Sequence, residues 1–275
     1  MKEKAISLIT LLGTLIMFMV ACSSNKGIPT DVEDIMEEIY HNMMSVESFR
    51  MESEMVLDMN MSNKNSLSKV GASLVVVQSP FAMYVHNLTN LDEEEVVSNE
   101  MYCVKEEDTY YIYSRMNESW AKNSIDSDSV AELSKDNKKP LDLDLYLTNL
   151  ESFYIGEQTE MSTILIGTVA KENVLNILIK TNALAQLELT SIPDDMLANL
   201  SQIKLKMVVD NDTICITKFE VDMTDTFKDL IQLMFNEDSI VKPQINECKM
   251  IVDSIMINQD SEITVPNEVT SNVIR

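Results

Sequence analysis

His41 and His86 are the only histidines, and neither falls in a His-x-x-x-His or His-Glu-x-x-His spacing that could hold a catalytic metal. No Gly-x-Ser-x-Gly segment presents an activated serine. Gly27, Gly71, Gly156 and Gly167 lie far apart, so no glycine-rich loop cradles a phosphate and nucleotide chemistry is excluded. The carboxylate pairs Asp126/Asp128 and Asp142/Asp144 lack the glycine and the distant glutamate of a calcium loop. A solvated acidic surface accounts for them, with loose calcium association by acidic loops as the sharper alternative. What remains is apolar binding chemistry. Phe49, Met51, Met55, Leu57 and Met59 fall on alternate positions of one stretch, and Met207 and Met223 flank a later one. Methionine is flexible and polarizable, and it suits both an irregular core and a promiscuous apolar surface. Core filling and a deformable ligand lining both stay open, and in an incomplete barrel one face serves as both. No cofactor and no metal site is expected.

Forty-five Asp and Glu against 21 Lys and Arg give 275 residues a net charge of −24. Such acidity excludes nucleic acid, whose phosphates need cations to displace their counterions. It equally excludes flat docking on anionic headgroups. An apolar share of 45% still supplies an ample core.

The N-terminus carries an address. Lys2 and Lys4 precede an almost unbroken apolar run over residues 5–20, the pattern of an export signal. As a helix that run spans about 24 Å, short of a roughly 30 Å hydrocarbon core. Met19-Val20-Ala21-Cys22 resembles the bacterial lipobox, in which the cysteine becomes thioether-linked to diacylglycerol and the chain is cut just before it. The expectation is a signal peptide over residues 1–21, a lipidated tether over 22–29 and a single domain over 30–275. The protein would sit on the outer face of the bacterial cytoplasmic membrane, held by the diacylglyceryl group on Cys22. Stable anchoring needs more than one acyl chain, and a seven-residue tether reaches at most about 25 Å. Cys103, Cys215 and Cys248 are then left, an odd number in an exported chain, and are expected to be buried thiols with no disulfide.

These residues need elements to position them. Thr30-x-x-Glu33 reads as a capping box for a helix of about four turns, with Val32, Ile35, Met36, Ile39, Tyr40 and Met43 on one face. Residues 49–61 alternate apolar and polar as a half-buried strand. Residues 71–78, 81–88, 95–104 and 109–115 read as further strands with short connections, an antiparallel meander. Residues 124–139 read as a polar loop with a helical turn, 141–153 and 174–187 as helices, 161–169 as a strand, and 193–200 as a short helix. A hairpin turns at Asp210-Asn211-Asp212, an amphipathic helix covers 226–235, a strand covers 248–257, and Ile263-Thr264-Val265-Pro266 forms a terminal edge piece. The fold class expected is α+β, with helices laid across an antiparallel sheet.

The acidic capped helix, the run Ser48-Phe49-Arg50-Met51-Glu52-Ser53-Glu54-Met55, the later hairpin and the closing Ile263-Thr264-Val265-Pro266 together resemble a group of uncharacterised Gram-positive lipoproteins. That group is related to the LolA-like lipoprotein carriers and the mycobacterial lipid-binding lipoproteins. The resemblance implies a strongly curved, incomplete barrel whose concave side is covered by helices and can hold acyl chains. It implies a non-enzymatic protein binding a lipid or other apolar ligand in a groove that includes Phe49, Met51, Met55, Leu57, Met59, Met207 and Met223. The alternative is a protein–protein or envelope-stress sensor module gripping a peptide with the same sheet. A hydrolase acting on envelope material is a third and weaker reading.

Overall fold

The structure, a computed structural model, describes residues 31–61, 64–91, 95–116, 119–141, 145–146, 149–180, 199–234, 243–260 and 262–274. The expected signal peptide, Cys22 and tether, Thr30, residues 181–187 of the helix expected over 174–187 and residues 193–198 of the helix expected over 193–200 lie outside them.

Helix α1 (Val32–Met44) begins one residue later than the capping box requires: Asp31 is the N-cap, and its carboxylate accepts the Glu33 N–H at 2.8 Å. Aspartate serves there because it satisfies an orphan donor and also complements the helix dipole. Ile35, Ile39 and Met43, four apart, are its buried face. Six strands then form a meander: β1 (Ser48–Met61), β2 (Lys64–Gln78), β3 (Phe81–Leu91), β4 (Glu95–Glu106), β5 (Thr109–Met116) and β6 (Ser119–Ile125). Helix α2 (Ser127–Asp136) follows, capped by Asp126. A second meander contains β7 (Leu150–Gln158), β8 (Ser162–Val169), β9 (Lys204–Asp210), β10 (Cys215–Asp222) and β11 (Gln244–Ile257). It is interrupted by a 3-10 turn and α3 (Val174–Lys180), and by α4 (Thr224–Met234). Helix α5 (Asn267–Ser271) and the two-residue β12 (Val273–Ile274) close the chain.

The two meanders are joined through their ends. Strand β1 pairs antiparallel with both β2 and β11, giving one open sheet of twelve strands in the order β12-β6-β5-β4-β3-β2-β1-β11-β10-β9-β8-β7. It is not closed into a barrel. Every pairing is antiparallel except the short parallel contact of β12 with β6.

Packing divides by face. On the inner face α1, α3 and α4 cover β7–β11 around Phe219, Phe227, Leu165, Ile177 and Met207. Val130 of α2 covers the other meander at Phe49, Val76, Met83 and Cys103. Alternation along β1 puts Phe49 and Leu57 on the same face, one in each cluster, so a single inner face runs through both meanders. On the outer face, the chain leaving β11 turns at Asn258, whose side chain accepts the Glu47 N–H at 2.8 Å. It then crosses β2–β6, where Val269 packs with Val77, Tyr102 and Trp120.

Three expectations are corrected. Strand β7 occupies part of the helix expected over 141–153; its register breaks twice against β8, which hides the period of two. Strand β6 enters the loop expected over 124–139 only at residues 124–125, and the helical turn expected in that loop is the ten-residue α2; both are weak in pattern because only Trp120 is buried along β6 and Val130 along α2. The terminal edge piece is Val273–Ile274; Ile263 and Val265 pack beside the outer-face cluster instead.

The three thiols are free and buried. Strands β10 and β11 are antiparallel, with Phe219 opposite Val252 and Asp222 opposite Lys249. Cys215 and Cys248 therefore lie at opposite ends, about 26 Å apart along the strand, against roughly 5.5 Å for a disulfide. Burial pushes the Cys103 thiol up to about 11 and Cys248 to about 12. Little thiolate exists at neutral pH. A thiol reagent should find almost nothing in the native protein and three groups in denaturant without reductant; a denatured count of one would mean a disulfide.

Candidate functional site

The sheet register sorts the inner face into rows. Phe49, Val76, Met83 and Cys103 stand side by side across β1–β4 and are buried beneath α2. The next row is Met51, Leu74, Val85 and Met101, each half-buried at the border of that cluster. Beyond it comes a neutral polar row of Ser53, Ala72, Asn87 and Asn99, with Asn87 directly opposite Asn99. Met55, Val70, Thr89 and Val97 follow, and Val97 is 39% exposed. Cover on this half of the sheet thus fades along the strands, from Phe49 at 0% exposure to Val97.

Among the seven residues expected to line a groove, Phe49, Leu57, Met207 and Met223 are 0–2% exposed. They are solid core. Leu57 is opposite Cys248, and Met207 is opposite Phe219 and Leu165. Met51, Met55 and Met59 are only partly buried. Those three, on the central strand, are where core gives way to accessible apolar surface. The residues beside them on β2–β4 were not among the candidates. Leu74 and Val85 lie in segments recognisable as strands, but only the register sets them beside Met51.

The inner face of this half also carries no charge from Phe49 to Met59, Ser66 to Val76, Met83 to Thr89 and Val97 to Cys103. Arg50, Glu52, Glu54, Asp58, Lys69, Glu100 and Glu106 of the same strands stand on the outer face, whereas Lys64, Glu95 and Lys105, toward the strand ends, fall on inner-face positions by register. Arg50 pairs with Asp260 at 2.9 Å, Lys69 with Glu54 at 3.1 Å, and Arg115 with Glu100 at 3.1 Å. Lys69 stands three residues after Ser66, the spacing of a Ser-x-x-Lys nucleophile. On a strand that odd spacing sends the two side chains to opposite faces, so Lys69 cannot reach the hydroxyl. His86 is on the outer face, with Nε2 3.1 Å from the Ser98 hydroxyl. Among the described residues no group of three or more His, Cys, Asp or Glu is placed to hold a metal.

The outer face holds a second polar cluster under the C-terminal crossing. Glu100 accepts hydrogen bonds from the Tyr84 and Tyr102 hydroxyls at 3.0 and 3.2 Å, and Tyr102 lies 5.8 Å from the Trp120 ring. Burial, then the Glu100 carboxylate, pushes the Tyr84 phenol up to about 12, and the same causes raise Tyr102. These phenols stay protonated at neutral pH and supply no base. Nearby, Glu106 accepts from Tyr113 and, at 2.6 Å, from Lys122. Burial raises the Glu106 carboxyl, but the bonds from Lys122 and Tyr113 outweigh it and hold the group below its usual range. The Lys122 ammonium is held above its usual range, chiefly by its bond to Glu106. The carboxylate's contribution is therefore present above about pH 4.5 and is lost as pH falls through its lowered folded value. Glu106→Gln should flatten that acid limb at a cost below about 1 kcal/mol, since solvent screens the pair; urea midpoints from pH 3 to 7 would show it.

Residues 31–273 match a protein family described as "Family of unknown function (DUF6612)", and the chain belongs to that family. No curated protein matches it. A solved structure described as a DUF1329 family protein from Desulfovibrio piger is similar at 11% identity, covering 86% of this chain and 96% of that one, with a TM-score of 0.26. At that score the likeness carries no argument about function.

Proposed function

We propose that this chain is a membrane-anchored extracytoplasmic lipoprotein, without enzymatic activity, that holds a lipid or another apolar molecule against its inner sheet face. One observation carries the reading: Met51, Met55 and Met59 stay half-buried in the middle of the sheet while neighbours on the same face are sealed. A sheet needing only a core would be covered alike on both sides of β1. A strip of flexible thioethers bordered by Leu74, Val85 and Met101 suits chains of variable shape. The lipobox residues ending in Cys22 supply the anchor and the outer face of the cytoplasmic membrane as the location. In this reading the curved sheet is the incomplete barrel of the LolA-like carriers, with its concave side as the binding side.

The sheet edges weigh against a module that grips a peptide by strand addition. Strand β7 has two register breaks and carries Glu151 and Glu157, and β6 is partly covered by β12. Bulges and charges are how proteins blunt edges against such pairing. The test is titration of a fluorescent fatty acylglycerol into the domain of residues 30–275. Saturable binding near one probe per chain supports the carrier. A wild-type domain that never binds shifts the assignment to the protein–protein module.

A further inference from the structure

The accessible sulfur chemistry of this chain belongs to its thioethers. Cys103, Cys215 and Cys248 are buried, and burial holds their thiols protonated and poorly nucleophilic. A thioether keeps its lone pair at any pH, so access decides which methionines an oxidant reaches. Met43, Met207 and Met223 are 0% exposed, whereas Met51, Met55 and Met59 stay half-buried on the inner face of β1. The thioethers that an oxidant reaches more easily are thus the ones set against the apolar ligand in the function proposed above, on which this inference rests. We propose that Met51, Met55 and Met59 form an oxidation switch: a hydroperoxide converts their thioethers to sulfoxides, and the oxidised strip releases its ligand while the fold persists. In each step the sulfur lone pair attacks the terminal oxygen of the hydroperoxide. A sulfur–oxygen bond forms, the oxygen–oxygen bond breaks, and the hydroxyl proton passes to the departing oxygen. Sulfur gives up two electrons, and the hydroperoxide leaves as an alcohol, or as water where it is hydrogen peroxide. Three flexible apolar side chains thereby become polar in the middle of the strip, and an acyl chain cannot satisfy the new oxygens. Half-burial spares the fold, because each sulfoxide oxygen can turn to water at the border of the core. An exported chain also meets such oxidants without the thiol pool of the cytosol.

The test uses the full anchored chain in vesicles of saturated phosphatidylcholine, whose chains hydrogen peroxide leaves intact, with a photoreactive diacylglycerol as the probe. Samples taken during peroxide exposure are illuminated, and mass spectrometry of peptides reads the sulfoxide at each methionine and the probe on β1–β3. Met161, 80% exposed, sets the rate of an open thioether. Met51, Met55 and Met59 should oxidise at least about tenfold faster than Met43, Met207 and Met223, whose protection reports that the fold persists. Probe labelling should fall at least about tenfold as the strip oxidises, and methionine sulfoxide reductase should restore it. Met51→Leu, Met55→Leu and Met59→Leu combined, a volume-conserving change, should keep the labelling and make it insensitive to peroxide. If that variant folds poorly, the wild-type time course decides alone. Strip sulfurs that oxidise no faster than the core, labelling that survives their oxidation, or a labelled leucine variant that still loses its probe to peroxide would overturn the switch and leave the carrier standing. A wild-type chain that is never labelled, even before peroxide, would overturn both.

Discussion

Leu57→Lys should unfold the domain, whereas Met55→Lys, two residues away on the same face of the same strand, should leave it folded and abolish binding of an acyl probe. Leu57 is 2% exposed, opposite Cys248 in the main core. An ammonium placed there has no water and no partner, and an unpaired buried charge costs about 3–5 kcal/mol. A domain's whole stability is only about 5–15 kcal/mol. Met55 lies between Val70 and Met250 at the partly covered edge of that core. A lysine there can run its alkyl stem along the methionines and place its charge in water, at a cost of about 1–2 kcal/mol. The charge would nevertheless stand in the middle of the surface proposed for acyl chains. Thermal melts beside probe titrations separate the two effects. If Met55→Lys unfolds as readily as Leu57→Lys, the strip is ordinary core and the groove is lost from the account.

Cys22→Ala should eliminate lipid modification completely. In the proposed anchor the thioether to diacylglycerol is made by the Cys22 sulfur, and an alanine methyl cannot replace it. Metabolic labelling with palmitate should fall from one strong band to background, and intact mass should show residues 1–21 still attached. The three other cysteines are retained in this variant and are buried, so they do not confuse the readout. A variant that is still cut after Ala21 and still labelled would remove the anchor from the proposal.

How much of this was legible follows from how each segment meets water. Strand β1 was readable because its alternation is sustained, Phe49 to Met61 against Arg50 to Asn60. The first half of β2 was missed because its inner-face positions are Ser66 and Ser68, which carry no apolar period. That same absence of burial is what makes the region a candidate site. The first four residues of β7, 150–153, continue a helix-like pattern because the strand is an edge, where two bulges break the period and only one neighbour imposes it. The pairing of β1 with β11 joins residues near opposite ends of the chain, and no local pattern encodes it. Without that pairing Met207 and Met223 could not be told from Met55 and Met59: all are methionines beside or within strands. The outer-face cluster of Glu100, Tyr84, Tyr102 and Arg115 was invisible for the same reason, since its members come from three strands.

The most direct test of the central claim is mass spectrometry of an organic extract from the full chain, purified out of its own membranes and compared with Met55→Lys prepared identically. The account predicts close to one extractable lipid per wild-type chain, beyond the covalent anchor, and its loss from the variant. A wild-type protein that carries no extractable lipid, or a variant that carries as much as wild type, would contradict it.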